Sequence, residues 1–169
     1  MSMKAIGLTL IMAYMILTAP VNKPVDKVDL DRFAGKWYSL YSIPTMYDKG
    51  SRETTTAYTL TRDGYYKVFT ACKKGEEQKS STYNSKLFTD GDTDGEMHAQ
   101  FLWPFKVDYW VIELADDYSY VVVGHPEHKF LFIMSRKPAI DKKLHDEIVG
   151  RCKAKGYEVD KLTSQHHGE

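Results

Sequence analysis

Two short signals, far apart in the chain, constrain the fold more than any other feature. Gly35-Lys36-Trp37 opens the first of many strand-like runs, and Ser135-Arg136 closes the last. The first and last strands of a closed barrel are hydrogen-bonded neighbours, so Trp37 could lie under Arg136. A guanidinium above an indole ring contributes about 0.5 to 2 kcal/mol. Taken alone, the pair fits a closed barrel and a core tryptophan with an unrelated surface arginine equally well, so the segments between them must decide.

Strand-like runs fill the interval between the two signals. The fifth run alternates clearly, with Met97, Ala99, Phe101 and Trp103 on one face and polar residues on the other. The seventh and eighth runs are apolar on both faces, so another element must cover their outer side. The eight predicted strands span residues 36–43, 54–61, 65–72, 80–88, 97–103, 107–114, 118–123 and 129–134.

The covering element is a helix predicted over residues 141–155. Asp141 caps it, Gly156 ends it, and Leu144, Ile148 and Cys152 form its buried stripe at four-residue spacing. The sequence thus predicts an all-β fold: an eight-stranded antiparallel up-and-down barrel with one C-terminal helix packed outside. Eight strands enclose just enough space for a small ligand.

Charge and aromatic content restrict the partners. The chain of 169 residues has 23 basic and 23 acidic side chains, interspersed, so no footprint for nucleic acid is present. The 12 Tyr, 7 Phe and 3 Trp suffice to line a concave surface as well as a core. Neutral or apolar partners fit this composition better.

The first 19 residues predict a secretory signal. Lys4 precedes an apolar run over residues 5–17, which is short for a membrane-spanning helix. Pro20 stands where a lipoprotein signal would place its lipidated cysteine. We expect export to a periplasmic or secreted location without a lipid anchor, although association with an outer membrane stays compatible. The domain is expected over residues 26–163, followed by a flexible polar tail over 164–169.

Two cysteines, Cys72 and Cys152, are present. An even count in an exported protein favours a disulfide. Two free buried thiols are the alternative.

Three motifs, in order, resemble those of the lipocalins. Gly35-Lys36-Trp37-Tyr38 after a helical turn is similar to the first motif, and Ser135-Arg136 before a helix is similar to the third. Residues 115–120 resemble the second, Thr-Asp-Tyr-x-x-Tyr, with Asp116 and Tyr120 retained and Ala115 and Asp117 departing from it. The resemblance implies structural roles for Gly35, Trp37, Asp116, Tyr120 and Arg136.

Residues 101–105, 109–112 and 131–138 look most like the bacterial lipocalins, apolipoprotein D and the plant temperature-induced lipocalins. That resemblance implies a non-enzymatic carrier of a fatty acid, lysophospholipid or other amphiphile, often in envelope maintenance or stress. It also implies a disulfide between Cys72 and Cys152. The expected partner is a small hydrophobic ligand; peripheral membrane contact and a monomer or weak dimer are compatible with it.

Family parity implies a set of ligand-facing residues inside the barrel. The fourth strand stays open, because either Tyr83, Ser85 and Leu87 or Asn84, Lys86 and Phe88 face inward. If Lys86 faces inward near the mouth, it is the counter-ion for a carboxylate or phosphate. The ligand-facing set is Tyr41, Tyr58, Tyr66, Lys86, Ala99, Phe101, Trp110, Ile112, Phe130, Phe132 and Met134.

No metal or cofactor is expected. The acidic turn over residues 90–95 imitates the start of a calcium loop, but Phe101 occupies its twelfth position. Two rival functions remain: an isomerase-like enzyme that uses a free Cys72 inside the barrel, and a tetrapyrrole binder. The second requires an inward axial ligand, and family parity offers no histidine.

Overall fold

The computed structural model describes residues 20–46 and 48–167; the predicted signal over 1–19 lies outside the described residues. In the described residues a short helix precedes eight consecutive strands, and a longer helix, a 3₁₀ turn (Val159–Lys161) and a ninth, two-residue strand follow them. The elements are α1 (Leu30–Phe33), β1 (Gly35–Ile43), β2 (Ser51–Leu60), β3 (Tyr65–Lys74), β4 (Lys79–Phe88), β5 (Glu96–Leu102), β6 (Phe105–Leu114), β7 (Tyr120–Gly124), β8 (Leu131–Ser135), α2 (Lys142–Ala154) and β9 (Thr163–Ser164).

The first eight strands form a closed antiparallel barrel. Each strand pairs with the next, and β1 pairs with both β2 and β8. This closure brings Arg136 over Trp37, with the guanidinium 3.7 Å from the ring centroid. The predicted barrel and the predicted cation–π pair are both confirmed.

Two apolar layers hold the barrel together. One lies inside it and includes Phe33, Trp37, Tyr66 and Met97, all fully buried. The other lies outside, where Ile148 and Cys152 of α2 pack on Val122, Leu131 and Ile133 of β7 and β8. Strands β7 and β8 are therefore apolar on both faces because each face is covered.

Two β-bulges decide which layer several side chains join. One lies between Ser39 and Tyr41 in β1, so Tyr41 points outward and its ring lies 4.3 Å from that of His145 on α2. The prediction that Tyr41 lines the interior is wrong, because the extra residue reverses the alternation.

The second bulge lies between Val111 and Glu113 in β6. Tyr109, Val111 and Leu114 face inward, whereas Trp110 and Ile112 join the outer layer with α2. The sequence-based assignment placed Trp110 and Ile112 inside and is wrong. Over residues 109–112, strand β6 is apolar on both faces because α2 covers its outer side, and the sequence offered no other means of choosing the inner face there.

Helix α1 and its neighbours seal one end of the barrel. Asp29 caps α1, the indole nitrogen of Trp37 donates to the Phe33 carbonyl at 2.9 Å, and the Tyr66 hydroxyl donates to the Leu30 carbonyl at 2.6 Å. Gly35 has φ +94°, and a β-carbon there would lie 3.3 Å from Arg136. Position 35 therefore favours glycine.

The other residues assigned structural roles tie neighbouring segments together. The Asp116 carbonyl accepts a hydrogen bond from Arg32 of α1 at 3.0 Å. On the outer face, Tyr120 donates to Glu113 at 2.9 Å, and Glu113 also binds Arg151 of α2 at 2.7 Å. Asp116 thus links its turn to the sealed end, and Tyr120 belongs to the network that holds α2 on β6.

The C-terminal segment is part of the barrel wall. Strand β9 pairs with Tyr41 and Ser42 of β1, and the backbone of Gln165 bridges Leu40 and Glu53 at 2.9 and 2.7 Å. The segment therefore fills the space where β1 and β2 separate toward the open end. The prediction of a flexible tail from residue 164 is wrong for residues 164–167; the last two residues lie outside the described part.

Both cysteines are free and buried. Cys152 lies in the outer layer beneath α2, whereas Cys72 shares the inner face of β3 with Tyr66 and Val68. The predicted disulfide is wrong because the barrel wall separates the two thiols. Across residues 20–46 and 48–167, no helix has both the length and the apolar character needed to cross a membrane.

Candidate functional site: the open half of the barrel

A hydrogen-bonded pair of tyrosines divides the barrel interior. The hydroxyls of Tyr58 on β2 and Tyr109 on β6 lie 2.7 Å apart, and β2 and β6 stand on opposite sides of the barrel. Burial raises the pKa of Tyr58 to about 12 and that of Tyr109 well above its usual value, so both hydroxyls are neutral at physiological pH. Together with Phe33 and Tyr66 below it, this pair forms a floor.

Above the floor, several inward-facing side chains become accessible to solvent, whereas Phe130 and Met134 stay buried. Val107 pairs with the inward residue Ala99 and is 38% exposed, and Tyr83 pairs with Thr70 and is 45% exposed. Phe132 and Ser85 are partly accessible. The open half of the barrel is therefore a cup whose wall a ligand can reach.

The wall of this cup has two chemically different sides. On β1 to β4 the strand register turns hydroxyl groups inward, whereas on β5 to β8 it turns apolar side chains inward. The hydroxyl side consists of Ser42, Thr56, Thr70, Ser81, Tyr83 and Ser85, and the apolar side consists of Ala99, Val107, Val123, Phe130, Phe132 and Met134.

A lysine stands at the rim of the hydroxyl side. Lys74, at the end of β3, shares the inner face of that strand, and its ammonium lies 5.0 Å from the ring centroid of Tyr83. Burial raises the pKa of Asp48 in the overlying β1–β2 loop, while hydrogen bonds from Thr45 and the charge of Lys74 oppose that increase. Lys74 therefore places a positive charge at the mouth.

Lys86 occupies the opposite face. It pairs with Lys67 and Gln100, and its ammonium lies 5.3 Å from the ring centroid of Tyr65 on the outer surface. Strand β4 thus turns Tyr83, Ser85 and Leu87 inward, the less costly of the two alternatives. The prediction that Lys86 faces the ligand is wrong, since an unpaired lysine inside would carry a desolvation cost of several kcal/mol.

A buried hydroxyl lies beside the rim lysine. Ser51 pairs directly with Lys74, its side chain is buried, and its hydroxyl has no hydrogen-bond partner among the residues that the structure describes. Buried polar atoms normally have partners. Ser51 and Lys74 together form a polar subsite at the mouth.

The remaining predicted site residues divide into two groups. Tyr58, Ala99, Phe130 and Met134 lie in the inner layer, with Phe132 packed against it; their contact with a ligand stays a prediction. Tyr66 is also inside, but its hydroxyl is engaged at the sealed end.

Phe101 and Trp103 are not part of the buried inner layer. A bulge between Ala99 and Leu102 interrupts the alternation. Phe101 is more than half exposed at the mouth, and Trp103 lies in the β5–β6 turn. The predicted dry face of this strand therefore ends at Ala99.

Sequence reasoning missed Lys74, Ser51 and Val107. A signal for Lys74 existed, because the alternation that places Tyr66 and Val68 inside also places Lys74 inside once β3 is extended by two residues. None existed for Val107, whose face depends on the β6 register.

The acidic turn and His98 make contacts within the fold. Asp94 accepts a hydrogen bond from the Val28 backbone at 3.3 Å, and Asp90 binds both His98 and Lys106. Within the described residues, no group of three or more His, Cys, Asp or Glu side chains is arranged to hold a metal ion.

Comparison with known proteins agrees with this geometry. Residues 28–167 match the family model described as a lipocalin-like domain. The chain is 29% identical over 144 residues to the outer membrane lipoprotein Blc of Vibrio cholerae, with 83% of each chain covered. It is 25% identical over 149 residues to temperature-induced lipocalin-1 of Arabidopsis thaliana, covering 82% of this chain and 78% of that one.

Among solved structures, the fold is similar to that of insecticyanin from the tobacco hornworm Manduca sexta. The TM-score is 0.70 at 19% identity, and 89% of this chain and 87% of that chain are covered. The closed eight-stranded barrel, the outer helix and the family match lead to one conclusion: the chain belongs to the lipocalins, a family of proteins that bind small hydrophobic ligands.

Proposed function

We propose that this lipocalin binds and carries a single-chain amphiphile whose head group contains a carboxylate or a phosphate, such as a fatty acid or a lysophospholipid, without catalysing a reaction. The observation that carries the proposal is the division of the inner wall in the open half of the barrel into two chemically different sides. Its apolar side suits a hydrocarbon tail, while its hydroxyl side ends at the rim in Lys74 and Ser51. One ligand with a tail and a charged head satisfies both sides.

The tail lies against Phe130, Phe132 and Met134 above the tyrosine floor. Apolar surface removed from water contributes about 25 cal/mol per Å² before the costs of association are subtracted. The head lies at the mouth, where a positive charge and neutral hydroxyls replace part of its hydration. A lysophospholipid uses more of the hydroxyl side than a fatty acid does.

The first test measures binding to delipidated protein. We expect oleate and a lysophospholipid to displace a fluorescent fatty acid with micromolar or tighter affinity. Phe132→Glu should abolish displacement because it places an unpaired charge in the cup. Val107→Trp, which fills the cup without adding charge, provides a second variant if Phe132→Glu fails to fold. Normal binding by folded Val107→Trp would contradict the location of the site.

The second test concerns the head group and has a matched control. Lys74→Gln should weaken oleate binding about two- to tenfold and leave binding of oleyl alcohol unchanged. Lys86→Gln removes the same charge from the outer face of the neighbouring strand and should change neither affinity. Equal losses for oleyl alcohol and oleate in Lys74→Gln would show that the charge does not contact the head group.

The free Cys72 supports a rival function, since a thiol on the inner wall is what an isomerase of this family would need. Cys72→Ser distinguishes the two. A carrier keeps its ligand affinity with serine at this position, whereas an enzyme loses turnover of a bound unsaturated substrate. If the wild type converts the substrate and Cys72→Ser does not, the protein is an isomerase and the carrier proposal is wrong. A tetrapyrrole ligand would instead give the isolated protein a visible absorption band.

We also propose that the protein acts outside the cytoplasm, in the cell envelope. The name outer membrane lipoprotein, carried by the Vibrio cholerae relative, supports this location. Fractionation of the native cells with detection of the protein tests it; recovery in the cytoplasm alone would overturn it.

A further inference from the structure

The β5–β6 hairpin ends in four exposed apolar side chains beside the mouth of the cup. We name Phe101, Leu102, Trp103 and Phe105 the apolar tip. Trp103 is 81% exposed, Leu102 is 70% exposed, and the other two are more than half exposed. Single exposed apolar residues are ordinary, but a cluster at one hairpin end indicates an interaction surface.

The apolar tip carries no charge. Residues 101–105 include no acidic or basic side chain. The next residue, Lys106, is directed to the outer surface, where its ammonium binds Asp90 at 2.5 Å and lies 4.0 Å from the Phe88 ring centroid. Insertion of the tip into an apolar medium therefore requires no ion to be desolvated.

A gap in the barrel wall lies next to the tip. Strand β4 pairs with β3 over its whole length, but its ladder with β5 has three pairs, the last of which joins Lys86 to Gln100. Toward the open end, residues 79–85 of β4 have no β5 partner in the described structure. The half-exposed Tyr83 is on this unpaired stretch and faces the interior.

We infer that the apolar tip inserts into the surface of a zwitterionic phospholipid bilayer, and that the gap between β4 and β5 is the passage by which the ligand enters from that bilayer. Aromatic side chains prefer the boundary between head groups and acyl chains. The tip is convex and uncharged. A fluid bilayer surface can close around such a tip, and charge does not direct this insertion. The gap borders the tip and lies between β4 of the hydroxyl side and β5 of the apolar side, so an entering hydrocarbon tail meets the apolar side first at Ala99.

The role of the gap rests on the proposed function, because an entrance requires a ligand. Insertion of the tip does not depend on it. The two are therefore measured separately, first by the position of Trp103 at a vesicle and then by ligand transfer.

The first experiment uses Trp103 as its own reporter in the full chain. Vesicles of phosphatidylcholine brominated along the acyl chain quench tryptophans that reach the bilayer, and the other two tryptophans, Trp37 and Trp110, are at the sealed end and on the outer layer. We expect strong quenching in the wild type and little in Trp103→Phe. Because the readout is local, attachment through the N-terminal apolar segment does not produce it. Absence of quenching at Trp103 overturns the inference.

The second experiment measures association with unlabelled phosphatidylcholine vesicles. Leu102→Ser combined with Trp103→Ser should reduce binding to the vesicles through the tip at least tenfold. Binding of the wild type should differ little between 0.15 and 0.5 M salt, where the Debye lengths are roughly 8 and 4 Å, because the tip is uncharged. Phe69→Ser removes a half-exposed phenylalanine from the middle of β3 and serves as the matched control; it should have no effect. An equal loss in the control, or strong salt dependence, contradicts insertion of the tip.

Ligand transfer then separates docking from binding. The double variant should keep its affinity for oleate in vesicle-free solution but take oleate from vesicles at least tenfold more slowly. Lost affinity in solution would mean that the tip belongs to the binding site.

A dimer in vesicle-free solution that disappears in the double variant would show that a second copy of the chain covers the tip, and would overturn the bilayer as its partner. Failure of every lipid to bind, with Trp103 still quenched, would refute the proposed function and the passage while leaving the docking intact.

Discussion

Arg136 stabilises the sealed end through both its charge and its hydrogen bonds. The guanidinium lies over the Trp37 ring and donates to the carbonyls of Lys36, Arg32 and Phe33 at 2.9, 2.6 and 3.2 Å. One side chain thereby joins the end of β8 to β1 and to α1. Its contacts are remote from the open half of the barrel.

Arg136→Ala should lower the free energy of unfolding by about 1 to 3 kcal/mol, because the ring contact and several charge-assisted hydrogen bonds disappear together. Ligand affinity should change little. Urea denaturation and the displacement assay measure the two quantities. An unchanged midpoint with lost binding would place Arg136 in the ligand site instead.

His125 makes stability depend on pH. Its side chain is 5% exposed; burial lowers its pKa, with the charge of Lys129 acting in the same direction and the carboxylates of Asp108 and Glu127 opposing it. Its Nδ1 atom accepts a hydrogen bond from the Glu127 backbone at 3.0 Å, which the neutral ring permits and protonation prevents. The neighbouring His128 is a further, smaller cause that lowers the pKa of His125.

The unfolded chain takes up a proton at His125 near pH 6.5, whereas the folded chain resists protonation until a lower pH. Stability should therefore decrease as pH falls through about 6.5 and stop decreasing once the folded-state pKa is passed. His125→Gln should make the pH dependence shallower in urea unfolding at pH 7.5 and 5.5, and the exposed His166→Gln should not. Equal slopes in wild type and His125→Gln would contradict this assignment.

At the scale of elements, the close approach of β7 to the segment after α2 depends on a missing side chain. A β-carbon on Gly124 would lie 2.0 Å from the Tyr157 hydroxyl. That hydroxyl is fixed by the His125 backbone and by Asn22, each at 3.1 Å. Gly124 thus allows three segments of chain to meet on the outer face.

Gly124→Ala should destabilise the protein by about 1 to 3 kcal/mol, because Tyr157 must move and lose partners. Gly150 offers the opposite case, since a β-carbon there meets nothing within 4 Å and the residue is in α2. Gly150→Ala should stabilise the protein by about 0.5 to 1 kcal/mol. Thermal unfolding of both variants measures the difference, and a shift of the same sign in both would refute it.

At the scale of the whole molecule, the C-terminal segment completes the barrel. Gln165 is almost fully buried, and its amide joins Ser42 of β1 to Thr54 of β2 at 3.2 and 2.7 Å. Its neighbour His167 approaches the Ser39 carbonyl at 2.8 Å. The two strands are therefore held together at the open end by a segment from the far end of the chain.

Deletion of residues 163–169 should lower stability by about 2 to 4 kcal/mol, since two ladder pairs and the buried Gln165 bonds disappear. Amide exchange should then increase in Tyr41–Ile43 and Ser51–Thr54 while the sealed end stays protected. Gln165→Ala should show a smaller effect at the same amides. Uniform loss of protection throughout the barrel would instead mean that the segment holds the whole fold.

The sequence alone determined the architecture: the order of the strands, the closed barrel, the outer helix and the contact of Trp37 with Arg136. These follow from local periodicity and from the requirement that first and last strands meet. It did not determine which side chains face the cup in β1, β5 and β6, because one bulged residue moves the following side chains to the opposite face and leaves no periodic signal. Only the tertiary structure showed that Lys74, and not Lys86, stands at the mouth, and that Cys72 and Cys152 lie on opposite sides of the barrel wall. It also placed the polar C-terminal segment between two strands. Each of these results depends on contacts between residues distant in the chain.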